Sequence, residues 1–174
     1  MPVRIMNPFL SLILTEVFNT GNAVGRFAAG PLCDRIGPLN MFVITMIASA
    51  ASMLAIWPVS NTLAPLVVFA MLNGIANGSY FTTQPTVVAS IFGPGRATVA
   101  MTMAATGWTV GNFMGAPIAG YLLEAAGGTR GNGFGTSISV YQPAIFYAGG
   151  MATLSAICVV VARLTVARKF RKRV

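Results

Sequence analysis

Five long apolar runs make up most of the chain, and in two of them the polar residues recur at helical spacing. The first run, about residues 9–33, carries Glu16, Asn19, Asn22 and Arg26, which at 100° per residue fall within an arc of about 120°. The third, about residues 64–92, carries Asn73, Asn77, Tyr80 and Gln84; their spacing of four, three and four confines them to about 60°. A one-sided polar stripe on an apolar helix faces protein or a water-filled cavity, not lipid. The second run, about residues 41–59, is nearly pure Met, Ile, Ala and Val with one serine pair; it is expected to face lipid, with Trp57 and Pro58 at its interface end. The fourth and fifth runs, about residues 97–123 and 141–165, complete the set.

Small residues punctuate these helices. Gly107, Gly111 and Gly115 form a doubled GxxxG in the fourth run, and Gly21 with Gly25 and Gly74 with Gly78 repeat the device in the first and third. Glycines four apart clear one helix face of side chains, so a second helix can lie against the backbone. They read as packing residues. Between the first and second runs stands a short charged turn in which Gly30, Asp34, Arg35 and Gly37 spell GxxxDRxG. Gly30 is expected to admit a neighbouring helix, Asp34 and Arg35 to emerge into water, and Gly37 with Pro38 to stop the helix and turn the chain.

Composition excludes a soluble fold. The 174 residues are 55% hydrophobic and 8% charged, with a mean hydropathy of +0.74, whereas a soluble surface takes about 25% charged residues. At about 20 residues per span there is room for five or six transmembrane helices, so the predicted class is an all-α membrane protein in contact with a lipid bilayer. A net charge of +8 would fit nucleic acid, but five of the eleven basic residues lie in the last seven positions and none is interleaved with aromatics on a polar surface. Nucleic acid is therefore not a predicted partner. A basic tail after an apolar span marks the cytosolic side. With residues 167–174 inside, Arg35, Arg96, Arg163 and the five tail residues are cytosolic, against Arg4 and Arg130 outside. The C-terminus is expected in the cytosol, with the membrane itself undetermined.

Other chemistry is absent from the pattern. There is no histidine, no pair of aspartates within the spans and no serine in a GxSxG setting, so no enzyme is expected, and neither a metal nor a cofactor. The Gly-rich stretch after Leu123 follows no strand and gives no nucleotide site. Cys33 and Cys158 read as packing residues.

The GxxxDRxG turn, with GNFMGAPIAGYLL and LLEAAGG downstream, resembles the major facilitator superfamily of secondary transporters, and within it a monocarboxylate-transporter-like member of the fungal type. The resemblance covers nearly all of the chain. It implies that the five spans are helices eight to twelve of twelve, five transmembrane helices of a six-helix half, so residues 1–166 form a partial C-terminal half followed by the basic tail. Five spans with a cytosolic C-terminus leave the N-terminus outside without a leader to carry it there; the expectation is a truncated half that begins one helix late. The implied function is alternating-access transport of a small organic solute, a carboxylate, with a proton as candidate coupled ion.

The resemblance also implies residue roles. Acid-transporting members carry an aspartate and, four positions on, an arginine in helix eight; here those positions read Asn22 and Arg26. Arg26 keeps the planar fork of donors that suits a carboxylate, but Asn22 cannot take up a proton. Asn77, Tyr80 and Gln84 would line the cavity from helix ten, and Gly30, Asp34, Arg35 and Gly37 would form the gating motif. Implied partners are the missing N-terminal half or a full-length relative. The alternatives are a non-transporting membrane adaptor or regulator and a transporter of a non-acid solute.

Overall fold

The computed structural model describes residues 8–59, 63–125 and 142–171. The Gly-rich stretch and the last three tail residues lie outside the described residues. Helix α1 (Pro8–Ile36) leads into α2 (Pro38–Ala51), which continues through a π-helical turn (Ser52–Ile56) and a 3-10 turn (Trp57–Val59); α3 (Leu63–Phe92), α4 (Pro94–Ala125) and α5 (Gln142–Arg171) follow. Among the described residues there is no strand.

Two of the connections are a single residue long. Gly37 has φ +88° and Gly93 has φ +78°, backbone conformations that side-chain-bearing residues rarely adopt. Each is followed by a proline that opens the next helix, where its missing N–H costs nothing. Gly37 N–H still donates to the Cys33 carbonyl at 2.9 Å, and Gly93 N–H to the Ala89 carbonyl at 3.0 Å. The chain therefore reverses at the two Gly-Pro pairs with its backbone bonding nearly unbroken.

The fold is apolar outside and small inside. Phe27 and Phe113 are each 84% exposed, whereas the buried set is Ala29, Ala50, Ala70, Ala76, Ala156, Thr45, Ser79 and Thr83 with few larger side chains. Where lipid is the solvent nothing drives large side chains inward, and helices close on small residues instead. Three helical segments among the described residues are long and apolar enough to cross a membrane: Pro38–Ile56, Leu63–Phe92 and Gln142–Thr165. The 29 residues of α1 and the 32 of α4 reach ~44 and ~48 Å at ~1.5 Å per residue, more than the ~30 Å hydrocarbon core. Their lower hydropathy comes from the polar stripe of α1 and the glycines and threonines of α4. Together these are the five helices of an all-α membrane protein.

Helix α3 is the centre: it packs along α1, beside α2 and against α4. Helix α2 is sandwiched between α3 and α5, so only part of it is free to meet lipid, through Ile44 and Ile47. Its serine pair explains why. Asn73 Nδ2 of α3, buried, donates toward Ser52 Oγ at 3.2 Å and Ser49 Oγ at 3.4 Å, tying the two helices where α2 widens into its π turn. Interhelical bonds of this kind are worth about 0.6–2 kcal/mol in membranes.

The closest approach is between α1 and α3. A Cβ on Gly21 would stand 2.6 Å from the Met71 carbonyl oxygen, and a Cβ on Gly25 would strike the Ile75 carbonyl. From the other side, Cβ atoms on Gly74 and Gly78 would strike the carbonyls of Phe18 and Asn22. Four glycines thus bring backbone onto backbone, and Ser79 Oγ seals the seam by donating to the Gly25 carbonyl at 3.1 Å. The glycines expected to pack in α4 behave differently: a Cβ on Gly107, Gly111 or Gly115 would meet nothing within 4 Å.

Candidate functional site

The α1–α3 seam positions a short polar relay. Asn22 and Arg26 stand one helical turn apart on α1, and the Arg26 Nε–H donates to Asn22 Oδ1 at 2.9 Å. Asn22 Nδ2 in turn donates toward Asn77 Oδ1 of α3 at 3.5 Å. The order follows from glycine placement: Gly25 and Gly78 let the backbones close, and the amide side chains one residue to the N-terminal side or one turn away then meet across the interface. Arg26 is the exposed end of the relay and Asn77 its half-buried end. Among the described residues only the Nε of the guanidinium is bonded, which leaves its terminal N–H groups for a ligand.

An aromatic wall stands beside the guanidinium. Arg26 Cζ lies 6.0 Å from the centroid of Phe81, and Phe81 lies 5.2 Å from Trp108 of α4 in a tilted contact. Behind Phe81, Tyr80 meets it edge-on at 5.3 Å and stacks on Phe42 of α2 at 5.1 Å. A cation over a ring gains about 0.5–2 kcal/mol, so Phe81 holds Arg26 without neutralising it.

Charge is therefore uncompensated. Asn22 fills the position beside Arg26 with a neutral acceptor, and the acidic groups on this helix, Asp34 and Glu16, are eight and ten residues away, ~12 and ~15 Å along the axis. Glu16 is exposed and borders a separate apolar groove of about 660 Å3 between the N-terminal halves of α1 and α3, with Phe9, Leu12, Val17, Val67 and Met71 among its walls. The arrangement can attract and orient an anion, but Asn22 offers no proton.

Of the residues expected to line a cavity, the structure joins Asn22, Arg26 and Asn77. Tyr80 reaches the group only through Phe81, because its ring is turned to α2. Gln84 is half-buried one turn further along α3 and bonds to none of them. Asn73, expected on the same stripe, is engaged with α2. Two residues of the group carry no polar signal in the sequence: Phe81, one helical turn after Asn77, and Trp108, whose helix gives no polar stripe to mark a face. At the turn, Asp34 and Arg35 are exposed at the end of α1 and Gly37 ends the helix; a Cβ on Gly30 would meet nothing within 4 Å, so the close approach of helices occurs at Gly21 and Gly25 instead.

Comparison with known proteins gives a consistent set. The family model for the Major Facilitator Superfamily matches residues 7–173. MFS transporter asaE of Aspergillus flavus is 33% identical over 123 residues, covering 71% of this chain and 28% of the relative. Monocarboxylate transporter 13 of Rattus norvegicus is 29% identical over 122 residues, 70% of this chain and 28% of that protein. Aspyridones efflux protein apdF of Emericella nidulans is 27% identical over 152 residues, 87% of this chain and 30% of that protein. The chain thus spans under a third of the length of these relatives. No solved structure gives a significant match.

Proposed function

The chain belongs to the major facilitator superfamily, and from that premise we propose that it is part of the C-terminal half of a secondary transporter that moves a small organic anion by alternating access. The observation that carries this reading is the exposed, singly bonded guanidinium of Arg26, held by Asn22 and Phe81 with no counter-charge beside it. A charge at membrane depth costs at least about 2.5 kcal/mol on insertion scales, and a solute anion offsets that cost in the loaded state. Transporters of this type bind substrate between two halves that rock about it, so the open side of Arg26 faces the half that this chain does not contain. Asp34 and Arg35, exposed at the end of α1, are proposed to act at the cytosolic gate.

The test is uptake or efflux by the complete transporter that includes this chain. Arg26→Gln removes charge and fork and is expected to abolish transport of a carboxylate solute; Arg26→Lys keeps the charge, loses the planar fork and is expected to weaken it. Wild-type rates in Arg26→Gln would make the arginine structural and remove the anion reading.

A second reading, a transporter that exports a bulkier solute without proton exchange at this site, is favoured by two observations. Asn22 cannot titrate, and relatives include proteins named for efflux of aspyridones and of agnestins. The aromatic wall of Phe81 and Trp108 suits a solute with a flat apolar body. Under this reading Phe81→Ala and Trp108→Ala impair transport as strongly as Arg26→Gln does.

A further inference from the structure

Helix α4 turns one aromatic toward the Arg26 site, and that contact fixes which of its faces looks the same way. Trp108 lies 5.2 Å from Phe81, the ring beside the guanidinium. At about 100° per residue Asn112 stands about 40° from Trp108, one turn further along the helix. Helices α3 and α4 run in opposite directions from the reversal at Gly93, so one turn on from Trp108 matches one turn back from Phe81, which is Asn77. Asn112 is therefore level with the pair formed by Asn22 and Asn77, ~6 Å along the axis from Trp108 and on the same side of α4.

Its amide has no partner within the fold. Asn112 is exposed near the middle of the 32-residue α4 and forms no hydrogen bond among the described residues. The asparagines of α3 are engaged, Asn73 with Ser52 and Asn77 with Asn22. Thr109, the other polar side chain on the Asn112 face, donates to the Ala105 carbonyl at 2.9 Å. Gly115 and Ala116 complete that face, and they are too small to cover the amide. An amide at membrane depth is costly to leave unbonded, because hydrocarbon offers neither donor nor acceptor. A solute held at Arg26 can supply one.

We infer that Asn112 is a specificity-determining residue that binds a second polar group on the solute, so that the site takes a planar aromatic acid with a hydroxyl or carbonyl at the end opposite its anionic group. This role rests on Arg26 as the anion site, the reading proposed above. The anionic group meets the terminal N–H groups of Arg26, the ring lies along Phe81 and Trp108, and the far polar group reaches Asn112. Asparagine suits either function there, since its Nδ2 donates to a carbonyl and its Oδ1 accepts from a hydroxyl. Selection arises because a solute without the second group leaves the amide unbonded in the loaded state, from which water is excluded.

The test is ligand-dependent thermal unfolding of the purified complete transporter, titrated with para-hydroxybenzoate and with benzoate, two acids that differ only in the far hydroxyl. The hydroxy acid is expected to bind about tenfold more tightly, the order of one net hydrogen bond. Asn112→Leu should bring its affinity down to that of benzoate and leave benzoate unchanged. Asn112→Ser, which keeps a shorter donor and acceptor, should recover part of the gap. If the leucine lowers the amount of folded protein, Asn112→Ala reads the same gap. No binding of either acid, equal affinities in the wild-type protein, or a gap that persists in Asn112→Leu and Asn112→Ala would overturn the inference. Equal weakening of both acids would also overturn it, by showing that Asn112 bonds another helix. Arg26→Gln separates the two readings: loss of both acids upholds the anion site. Retention of both, with the gap still removed by Asn112→Leu, would overturn the anion site and leave Asn112 as a specificity residue.

Discussion

At position 22 a neutral amide, not a carboxylate, stands beside the Arg26 guanidinium. Asn22 Oδ1 accepts from Arg26 at 2.9 Å, so it orients the guanidinium as an aspartate would while leaving the positive charge intact. An ionised aspartate there would compete with a solute anion for Arg26, and its protonation would release the arginine. Asn22→Asp is therefore expected to make anion transport by the complete protein pH-dependent, rising as pH falls and the new carboxylate takes up a proton. Uptake measured as a function of pH checks this, and a profile unchanged from the parent would show that position 22 does not govern Arg26. Asn22, Arg26 and Asn77 were legible in the sequence because a polar residue in an apolar helix is conspicuous and helical spacing assigns it a face. Phe81 and Trp108 were not, since an aromatic in an apolar run looks the same whether it meets lipid or a guanidinium. Only the α3–α4 contact distinguishes them.

Among the helices, α1 and α3 are the pair on which the site depends. Their seam is made by Gly21, Gly25, Gly74 and Gly78, and each glycine is opposed by backbone that cannot yield as a side chain can. Gly25→Leu is expected to destabilise the fold by at least the about 1–3 kcal/mol typical of overpacking and to lower the amount of folded protein in membranes. Gly30→Leu, five residues along the same helix, is expected to be tolerated because its Cβ position is open. Equal loss in both would mean that the turn and not the seam limits folding. The five helices and the two Gly-Pro reversals were readable from hydropathy and from the rule that proline follows a helix stop. The sequence shows seven glycines in GxxxG spacing across three helices, but not which of them are in contact; that depends on which helices are neighbours. The same limit explains why α2, apolar nearly throughout, was expected to face lipid: Ser49 and Ser52 reveal a protein-facing side only once Asn73 is seen opposite them.

At the scale of the whole molecule, the distribution of basic residues carries an expectation about orientation. The split of basic residues predicts a cytosolic C-terminus. A cysteine probe at Gly131 should then be labelled from outside and one at Lys169 should not; the reverse would invert the topology. The central claim is that Arg26 is an anion site, and ligand-dependent stability of the purified complete transporter tests it most directly. A ligand at about 100 times its Kd adds about 2.7 kcal/mol to the folded state, a clear shift in thermal unfolding. Across a panel of organic acids and neutral solutes of matched size, stabilisation is expected from acids alone and is expected to vanish in Arg26→Gln. Stabilisation by neutral solutes alone, or by acids equally in Arg26→Gln, would contradict the account.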